Sequence, residues 1–348
     1  MRALGAEIIK KENSLEITGP AAFKKTALLP CRESGSTLRF LIPLSLIFCG
    51  EAEFTGSEKL MSRPLSVYEE IFETHGISIR KSETSVKISG ELKSGKYTVP
   101  GNISSQFISG LLFAMPLLEG DSEIKIIPPV ESRPYIDMTL DSLARHSVKA
   151  GFISDNVIEI KGGQRYTAAD TVTDGDWSNA AFFSAFNLTG GDVTVTGLDS
   201  ESSQADKVYT DIFKALKEEN SVTDLSSCPD LGPVCMALAF KHGALFTGTK
   251  RLILKESDRC AAMASELSEF GIRTETGDDY FRVFPGEIHA PSKTLSGHND
   301  HRIVMALSVL CSITGGKIDG AQAVSKSLPD FFERLKSLGI KVKLYETA

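Results

Sequence analysis

Glu256 stands between two cations in the segment KESDR, residues 255–259, where an apolar pattern predicts the start of a helix. A carboxylate can donate or accept a proton when it is held close to a reacting atom. The flanking Lys255 and Arg259 can bind an anion through charge-assisted hydrogen bonds. Glu256 is therefore a candidate acid–base group beside an anion site, and the alternative is a solvated run of surface charges.

Four further polar clusters also stand where helices are predicted to begin. The first residues of a helix have free backbone N–H groups, which favour a bound anion. Small polar residues at this place are also ordinary helix caps, and that alternative holds for each cluster, including the one that contains Asp230. The four clusters are SGSTLR at 34–39, SSQ at 104–106, CPD at 228–230 and NDHR at 299–302.

Basic residues lie in or beside these polar clusters, although the chain as a whole has a net charge of −7. Each of them taken singly could be a solvated surface charge. Their recurrence at equivalent places along the chain favours a substrate that carries phosphate. The basic residues concerned are Arg39, Lys59, Arg63, Lys255, Arg259, Arg302 and Lys326.

The polar clusters belong to a pattern that recurs roughly every 50 to 75 residues. In each repeat a polar cluster opens an apolar helix, and an amphipathic helix with a short strand closes the repeat, as in the closing ALKEENSV at 215–222. The closings number six, because RALGAEIIKKENSLEI at 2–17 resembles the closing LKSLGIKVKL at 335–344. The openings number five, and they are SGSTLRFLIPLSLI, SSQFISGLLFAMPLL, DWSNAAFFSAFNL, CPDLGPVCMALAF and NDHRIVMALSVL. We therefore expect six units, of which the first lacks its opening. The alternative is an irregular N-terminal hairpin.

Chain length and repeat count together predict two similar α/β domains. A chain of 348 residues is longer than one ordinary core accommodates. The polar, Gly-containing segment TAADTVTDGDWSNA follows the second complete unit and predicts a hinge near 171–176. We expect a first domain at 1–173, with two complete units and the tail of a third, and a second domain at 174–348, with three units.

Composition argues against several classes of protein. The chain is 41% apolar and 24% charged, as in ordinary globular domains, and its acidity argues against a general binder of nucleic acid or membrane surfaces. The longest apolar stretch, 40–49, contains Pro43 and is too short to span a bilayer. The six cysteines form no C-x-x-C pair. We therefore expect reduced thiols in the cytoplasm, with no disulfide scaffold and no metal site.

Eight short motifs occur together in one order along the chain. As a set they resemble the 5-enolpyruvylshikimate-3-phosphate (EPSP) synthase family, whose members join phosphoenolpyruvate to shikimate 3-phosphate. The chain is less similar to the sister family that acts on UDP-N-acetylglucosamine, because no cysteine here lies in a reactive loop motif of that family. In chain order the motifs are SGSTLRF, SRPL, SSQF, SRPYID, PD, KESDR, NDHR and SKSLPDFF.

The resemblance implies a fold and a role for individual residues. The family fold has two domains, each of three βαβαββ units, that close over the substrates. Asp230 would be the general base at the 5-hydroxyl, and Glu256 would be the proton donor to the methylene carbon. The residues expected at phosphoenolpyruvate are Gly35, Lys59, Gln106, Arg259, Arg302 and Lys326. The residues expected at shikimate 3-phosphate are Ser104, Ser105, Gln106, Ser132, Tyr135, Asp230 and Lys255.

The reaction implied by the resemblance is an addition followed by an elimination. The 5-hydroxyl adds to C2 of phosphoenolpyruvate while C3 gains a proton, and loss of a proton from C3 then expels phosphate. The addition needs a base and an acid, which suits two carboxylates, and the charged substrates need several cations. No metal or organic cofactor is required. We expect a monomer whose partners are these two substrates, with no nucleic acid and no membrane.

Two departures from the family pattern bear on activity. The resemblance places an arginine where Lys59 stands, and lysine cannot form the two parallel hydrogen bonds of a guanidinium. The N-terminal P-x-K-S…R segment of the family has no match in this chain, so we expect little or no synthase activity. The alternatives are a full synthase, an inactive or partner-dependent chain that only binds shikimate 3-phosphate, and a transferase that acts on UDP-N-acetylglucosamine.

Overall fold

The computed structural model describes residues Met1 to Tyr345, and these form two compact units. The first unit comprises Met1–Thr171 and the second begins at Val172. The division falls two residues before the boundary expected from the sequence, inside the polar segment that predicts a hinge. Each unit has its own apolar core.

The first unit contains ten strands and five α-helices. The strands are β1 (Glu7–Lys10), β2 (Leu15–Thr18), β3 (Thr26–Arg32), β4 (Glu51–Gly56), β5 (Ser78–Lys81), β6 (Ser85–Ser89), β7 (Lys96–Pro100), β8 (Ser122–Ile127), β9 (Ala150–Ser154) and β10 (Val157–Ile160). The helices are α1 (Gly35–Phe48), α2 (Glu58–Ser62), α3 (Ser66–Thr74), α4 (Ser105–Ala114) and α5 (Arg133–Arg145).

Two four-stranded sheets of the first unit have the same topology. Their strand orders are β3-β4-β6-β5 and β7-β8-β10-β9. In each sheet the first two strands are parallel and the remaining pairs are antiparallel. A parallel pair needs a crossover, which α1 supplies in the first sheet and α4 in the second. Each sheet with its helices is therefore a βαβαββ unit, as the family resemblance implies.

Helices α1 and α4 pack closely because glycine stands at their contact. A Cβ on Gly110 would lie 2.4 Å from the carbonyl oxygen of Arg39 and 2.3 Å from the hydroxyl oxygen of Tyr68. That hydroxyl donates to the carbonyl oxygen of Arg39 at 2.8 Å. The close approach brings the first turns of both helices together, and these turns carry the polar clusters SGSTLR and SSQ.

The second unit contains six strands and six α-helices among its described residues. The strands are β11 (Ser221–Asp224), β12 (Ala244–Thr247), β13 (Thr274–Thr276), β14 (Tyr280–Val283), β15 (Leu295–Ser296) and β16 (Ile318–Asp319). The helices are α6 (Trp177–Ser184), α7 (Tyr209–Ala215), α8 (Gly232–Leu238), α9 (Arg259–Glu269), α10 (His301–Thr314) and α11 (Phe331–Ser337).

One sheet of the second unit repeats the topology seen twice in the first. Its order is β11-β12-β14-β13, with one parallel pair followed by antiparallel pairs. A short parallel pair, β15-β16, flanks α10. Helices α8 and α10 are buried almost throughout and form the centre of the core. The α/β class and the repeated βαβαββ unit are confirmed.

The strand after α7 differs from the sequence expectation. The segment ALKEENSV was interpreted as the closing of a repeat, but β11 pairs in parallel with β12 and so opens the next sheet. Asn220 has a left-handed backbone, with φ of +50°, and its N–H donates to the carbonyl oxygen of His242. This turn directs the chain from α7 straight into β11. Residues 172–220, all described, contain helices and no strand.

The N-terminal segment forms an antiparallel hairpin, β1-β2, with most of its residues exposed. It has the same form as the hairpins that end the complete units, such as β5-β6. Among residues 1–345, no helix is long and apolar enough to cross a membrane.

Candidate active site

Arg259 lies at the centre of a group of carboxylates in the second unit. It is the first residue of α9, and its side chain is 1% exposed. Its guanidinium donates to Asp230 Oδ1 at 2.8 Å, to Glu256 Oε2 at 3.0 Å and to Asp300 Oδ2 at 2.9 Å. Burial disfavours the cation, but these three carboxylates outweigh it and raise the pKa of Arg259 above its ordinary value. One arginine therefore fixes three acids at one place.

Asp230 faces three cations. It stands in a 3₁₀ turn, Pro229–Leu231, that leads into α8. Besides Arg259, its carboxylate lies 3.3 Å from Lys255 Nζ and 3.6 Å from Arg302 Nη2. Burial works against the charged form, but Lys255, Arg302 and Arg259 outweigh it and hold the pKa of Asp230 well below its usual range. Asp230 is therefore ionised and has the charge state that a proton acceptor needs.

Lys255 and Glu256 precede α9 and complete the group. Burial lowers the pKa of Lys255 below its ordinary value, and the neighbouring Arg259 and Arg251 lower it further, against the opposing effect of Asp230. The carboxylate of Glu256 keeps contact with solvent, with 21% of its side chain exposed. An acid that exchanges protons with a substrate needs such access, and Glu256 has it while Arg259 orients it.

Asp300 is a functional residue that the sequence analysis missed. It is fully buried and caps α10, where its Oδ1 accepts the N–H of Arg302 at 2.9 Å. Its Oδ2 accepts from Ser257 Oγ and from Arg259 Nε. Burial opposes the carboxylate, but Arg259 outweighs it and lowers the pKa of Asp300. The sequence indicates a helix cap at 299–302, but it does not indicate that Asp300 pairs with Arg259, which lies 41 residues earlier in the chain.

Arg302 presents donors that no group in the described part of the chain uses. Its side chain is buried, and its Cζ atom lies 5.6 Å from the centroid of the Phe182 ring. Its Nη2 atom lies 3.6 Å from Asp230 Oδ2. Its Nε and Nη1 atoms are buried and have no hydrogen-bond partner among residues 1–345. A buried cationic donor left unpaired is costly, so it indicates a place where an anion binds. Lys326, at the end of a 3₁₀ turn, donates to the carbonyl oxygen of Asn299 at 2.5 Å.

A second group of polar side chains lies in the first unit, where α1 and α4 begin. Arg39 Nη1 donates to Gln106 Oε1 at 2.8 Å, and its guanidinium lies over the ring of Phe107. A Cβ on Gly35 would lie 2.9 Å from Arg63 Nη1 and 3.1 Å from Arg39 Nη1. Only glycine at 35 leaves both guanidinium groups where they stand. Two cations and an amide therefore gather at one helix N-terminus.

The structure does not bring Lys59 to this group. Lys59 is exposed on α2, whereas Arg63, which directly follows that helix, reaches Gly35. Arg39 and Arg63 were recognised from the sequence as basic residues near the motifs, but neither was assigned to a substrate. The motif SRPL contains Arg63 and was the signal available for it.

The serines predicted at shikimate 3-phosphate lie at the starts of α4 and α5. Ser104 caps α4, where its Oγ accepts the N–H of Gln106 at 3.3 Å, and Ser105 is buried beside it. Ser132 precedes α5 and has a left-handed backbone, with φ of +54°. Tyr135 is half-buried in the first turn of α5. Helices α4 and α5 are joined by a 2.7 Å hydrogen bond between Ser109 and Thr139, which fixes these starts relative to each other.

Each unit therefore contains one set of sequence-predicted residues. The first unit brings together Gly35 and Gln106 with the starts of α4 and α5, and the second brings together Asp230, Lys255, Glu256, Arg259 and Arg302. In residues 1–345 no group of His, Cys, Asp and Glu is arranged to hold a metal ion. All six cysteines are free thiols, and burial raises the pKa of Cys228 to about 12.

Comparison with known proteins agrees with this chemistry. The family model described as EPSP synthase (3-phosphoshikimate 1-carboxyvinyltransferase) matches residues 1–335. A 3-phosphoshikimate 1-carboxyvinyltransferase from Brachyspira hyodysenteriae is 39% identical, with 95% of this chain and 84% of the relative aligned. One from Clostridium kluyveri is also 39% identical, with 97% and 85% aligned.

Solved structures share the fold. EPSP synthase from Acinetobacter baumannii superimposes with a TM-score of 0.76 at 22% identity, covering 99% of this chain and 87% of that one. The enolpyruvyl transferase NikO from Streptomyces tendae gives 0.70 at 14% identity, with 98% and 85% covered. The family model and the curated relatives, together with the carboxylates and cations around Arg259, place this chain in the EPSP synthase family.

Proposed function

We propose that this chain transfers the enolpyruvyl group of phosphoenolpyruvate to the 5-hydroxyl of shikimate 3-phosphate and releases phosphate, a step of aromatic amino acid biosynthesis. The observation that carries the proposal is the buried Arg259, which holds the carboxylates of Asp230 and Glu256 in one group. The reaction needs one proton acceptor and one proton donor. We assign the first role to Asp230 and the second to Glu256.

Phosphoenolpyruvate is assigned to Arg302 and Lys326 of the second unit, together with groups of the first unit. Arg302 has two buried donor atoms without a partner among residues 1–345, and a phosphate or carboxylate oxygen would satisfy them. Lys326 is held near the same helix start through Asn299. From the first unit the proposal adds Gly35, Gln106 and Arg63, and it takes Arg63 in preference to the exposed Lys59.

Shikimate 3-phosphate is assigned to the hydroxyl-bearing helix starts and to one lysine. Phosphate binds well at a helix N-terminus, where backbone N–H groups and small polar side chains converge. The assigned residues are Ser104, Ser105, Gln106, Ser132, Tyr135 and Lys255. Lys255 contacts Asp230, so a substrate bound to Lys255 lies next to the proposed base.

The proton transfers follow from these assignments. Asp230 accepts the proton of the 5-hydroxyl as the hydroxyl oxygen bonds to C2 of phosphoenolpyruvate, and Glu256 gives a proton to C3. A tetrahedral phosphate-bearing intermediate results. The Glu256 carboxylate then takes a proton back from C3, the C2–C3 double bond re-forms, and the C2–O bond to phosphate breaks. The cations stabilise the negative charge on the departing phosphate.

The proposal also includes a monomeric state and a cytoplasmic location. Six free thiols, five of them buried, suit a reducing compartment. The likeness to NikO, at 14% identity, carries the fold alone and gives no support to a UDP-sugar acceptor.

The test is release of inorganic phosphate from phosphoenolpyruvate and shikimate 3-phosphate, with the organic product identified by mass. The Asp230→Asn variant should lower kcat by about 10²–10⁴-fold, the usual contribution of a general base, while still binding shikimate 3-phosphate. Asp211→Asn, which changes an exposed carboxylate in the same unit, is the matched control. Absence of phosphate release by the wild-type chain, or equal turnover with UDP-N-acetylglucosamine, would overturn the proposal.

A further inference from the structure

The loop between β15 and α10 has an unusual backbone. His298 and Asn299 are consecutive non-glycine residues in the left-handed region, with φ of +48° and +50°. Side-chain-bearing residues adopt this conformation at a cost, so it persists where the surroundings hold it in place. Gly297 precedes them in a tight site, where a Cβ would lie 2.7 Å from the carbonyl oxygen of Asp319. Contacts from neighbouring elements must therefore hold the backbone of this loop in its left-handed conformation.

The loop determines where several cations of the proposed site lie. The carbonyl oxygen of Asn299 accepts the hydrogen bond of Lys326. Asp300, the next residue, binds Arg259 and caps α10. Arg302 follows within the first turn of that helix. A displacement of the loop would therefore move Lys326 and Arg302 together.

Glu266 holds the loop from α9. It is 6% exposed, and both of its oxygens are used. Oε2 accepts the backbone N–H of Ser296 at 3.0 Å, and Oε1 lies 2.8 Å from His298 Nε2. The backbone N–H of His298 in turn donates to Ser296 Oγ at 3.1 Å. A buried carboxylate is retained at a desolvation cost, so two specific contacts to one loop indicate a defined task.

Two residues of α9 contact the same loop. Arg259 and Glu266 are seven residues apart, which is about two helical turns, so their side chains leave the same face of α9. Arg259 holds Asp300 at the end of the loop, and Glu266 holds Ser296 and His298 at its beginning. The loop is thus fixed at both ends by one rigid element.

We infer that Glu266 is a positioning residue for phosphoenolpyruvate binding, acting through His298 and the carbonyl oxygen of Asn299 on Lys326 and Arg302. This inference rests on the proposed function. Glu266 itself does not touch substrate in this scheme. Loss of its carboxylate releases His298, lets the left-handed backbone relax and misplaces the acceptor that orients Lys326.

The kinetic arm of the test separates positioning from general stability. Glu266→Ala should raise the KM for phosphoenolpyruvate about tenfold and leave the KM for shikimate 3-phosphate within twofold. Glu266→Gln can still accept from Ser296 and can donate to a neutral His298, so it should restore the phosphoenolpyruvate KM to within threefold of wild type. His298→Asn keeps a residue that tolerates the left-handed region but is too short to reach Glu266, and it should behave like Glu266→Ala.

The matched control is Glu269→Ala, on the same helix, whose carboxylate pairs with Lys293 at the surface. It should leave both KM values within twofold. If Glu266→Ala does not fold, His298→Asn and Glu266→Gln decide the question. Equal changes in both KM values, or no change in either, in the folded variants would overturn the inference.

A second arm does not depend on turnover. Hydrogen exchange measured by mass spectrometry should show faster amide exchange across 295–302 in Glu266→Ala and His298→Asn than in wild type or Glu269→Ala. A wild-type chain without phosphate release would defeat the proposed function, whereas the exchange arm would still show whether Glu266 holds the loop. Unchanged exchange in this segment would overturn the inference by itself.

Discussion

Arg39 in the first unit and Arg259 in the second are both buried at the start of a helix, but their partners differ. Arg39 donates to neutral oxygens, those of Gln106 and the Pro64 carbonyl, and lies against an aromatic ring. Arg259 donates to three carboxylates. The first arrangement sets a guanidinium against an amide oxygen, a backbone carbonyl and an aromatic ring. The second uses the positive charge to hold acids.

The difference shows how helix starts in the two units carry different side chains. In both units a polar cluster at a helix start supplies N–H groups and side chains. In the first unit, glycine at 35 leaves room for the guanidinium groups of Arg63 and Arg39. In the second, Arg259 gathers the carboxylates of Asp230 and Glu256, the groups proposed for proton transfer.

The largest effect should follow from Arg259→Ala. It would leave three carboxylates close together in a buried place, and breaking a buried ion pair in this way costs about 3–5 kcal/mol. We expect loss of turnover and a large drop in the free energy of unfolding of the second unit. The single tryptophan, Trp177, is buried in that unit, so its fluorescence reports the transition.

The control for this experiment is Arg334→Ala, which removes an exposed arginine paired with Asp330 in the same unit. It should leave the tryptophan transition nearly unchanged. Full stability in Arg259→Ala would show that the carboxylates do not depend on Arg259, and the contrast with Arg39 would then disappear.

A smaller and pH-dependent effect is expected for Asp300→Asn. Pairing with Arg259 lowers the pKa of Asp300 in the folded chain, so its contribution is present above its unfolded pKa of about 3.9 and is lost as the pH falls through the folded value. At pH 7 the variant should be destabilised by ~2 kcal/mol, the scale of a charge-assisted hydrogen bond. The difference from wild type, followed by Trp177 fluorescence, should shrink below about pH 4.

Asp211→Asn, which changes an exposed pair with Lys214, supplies the baseline at every pH. A difference between wild type and Asp300→Asn that stays constant down to the acid limit would mean that the charge of Asp300 contributes little. Its role would then be that of a cap alone.

The sequence predicted the features that local patterns encode. Helix starts such as 34–39 and 299–302 are recognisable because a cap and an apolar period lie within a few residues. The recurrence of those starts predicted repeated units of helix and strand, and the βαβαββ order came from the family resemblance. The partner of Asp300 was not predictable, because Arg259 reaches it only after β13, β14 and β15 have turned the chain back.

Two further positions depend on packing that the local sequence does not specify. The strand after α7 was expected to close a repeat, but its parallel pairing with β12 is a long-range contact that its four residues do not specify. Lys59 and Arg63 are four residues apart, and the direction of each side chain depends on where α2 ends. Side-chain direction at the end of a five-residue helix is decided by tertiary packing rather than by sequence spacing.

Gly35→Ala should change substrate binding in the first unit with a smaller loss of stability than the two variants above. The added Cβ would press on Arg63 and Arg39, whose flexible ends can give way, so the fold should persist. Because Gly35 and the displaced Arg63 are assigned to phosphoenolpyruvate, its KM should rise about tenfold, equivalent to ~1.4 kcal/mol. Gly151→Ala, in the same unit with open space around the new Cβ, is the control. An unchanged KM would remove Gly35 and Arg63 from the subsite.

The smallest effect is expected at Lys59, and it decides which cation the first unit contributes. Lys59 is exposed on α2, and exposed charges usually change binding little once salt screens them. Lys59→Ala and Lys59→Arg should therefore both leave the phosphoenolpyruvate KM within about twofold, whereas Arg63→Lys, which loses the guanidinium fork beside Gly35, should raise it several-fold. All three variants keep the folded core, because neither side chain belongs to it. A tighter KM in Lys59→Arg, together with no effect of Arg63→Lys, would reverse the assignment and return Lys59 to the site, as the family resemblance alone suggests.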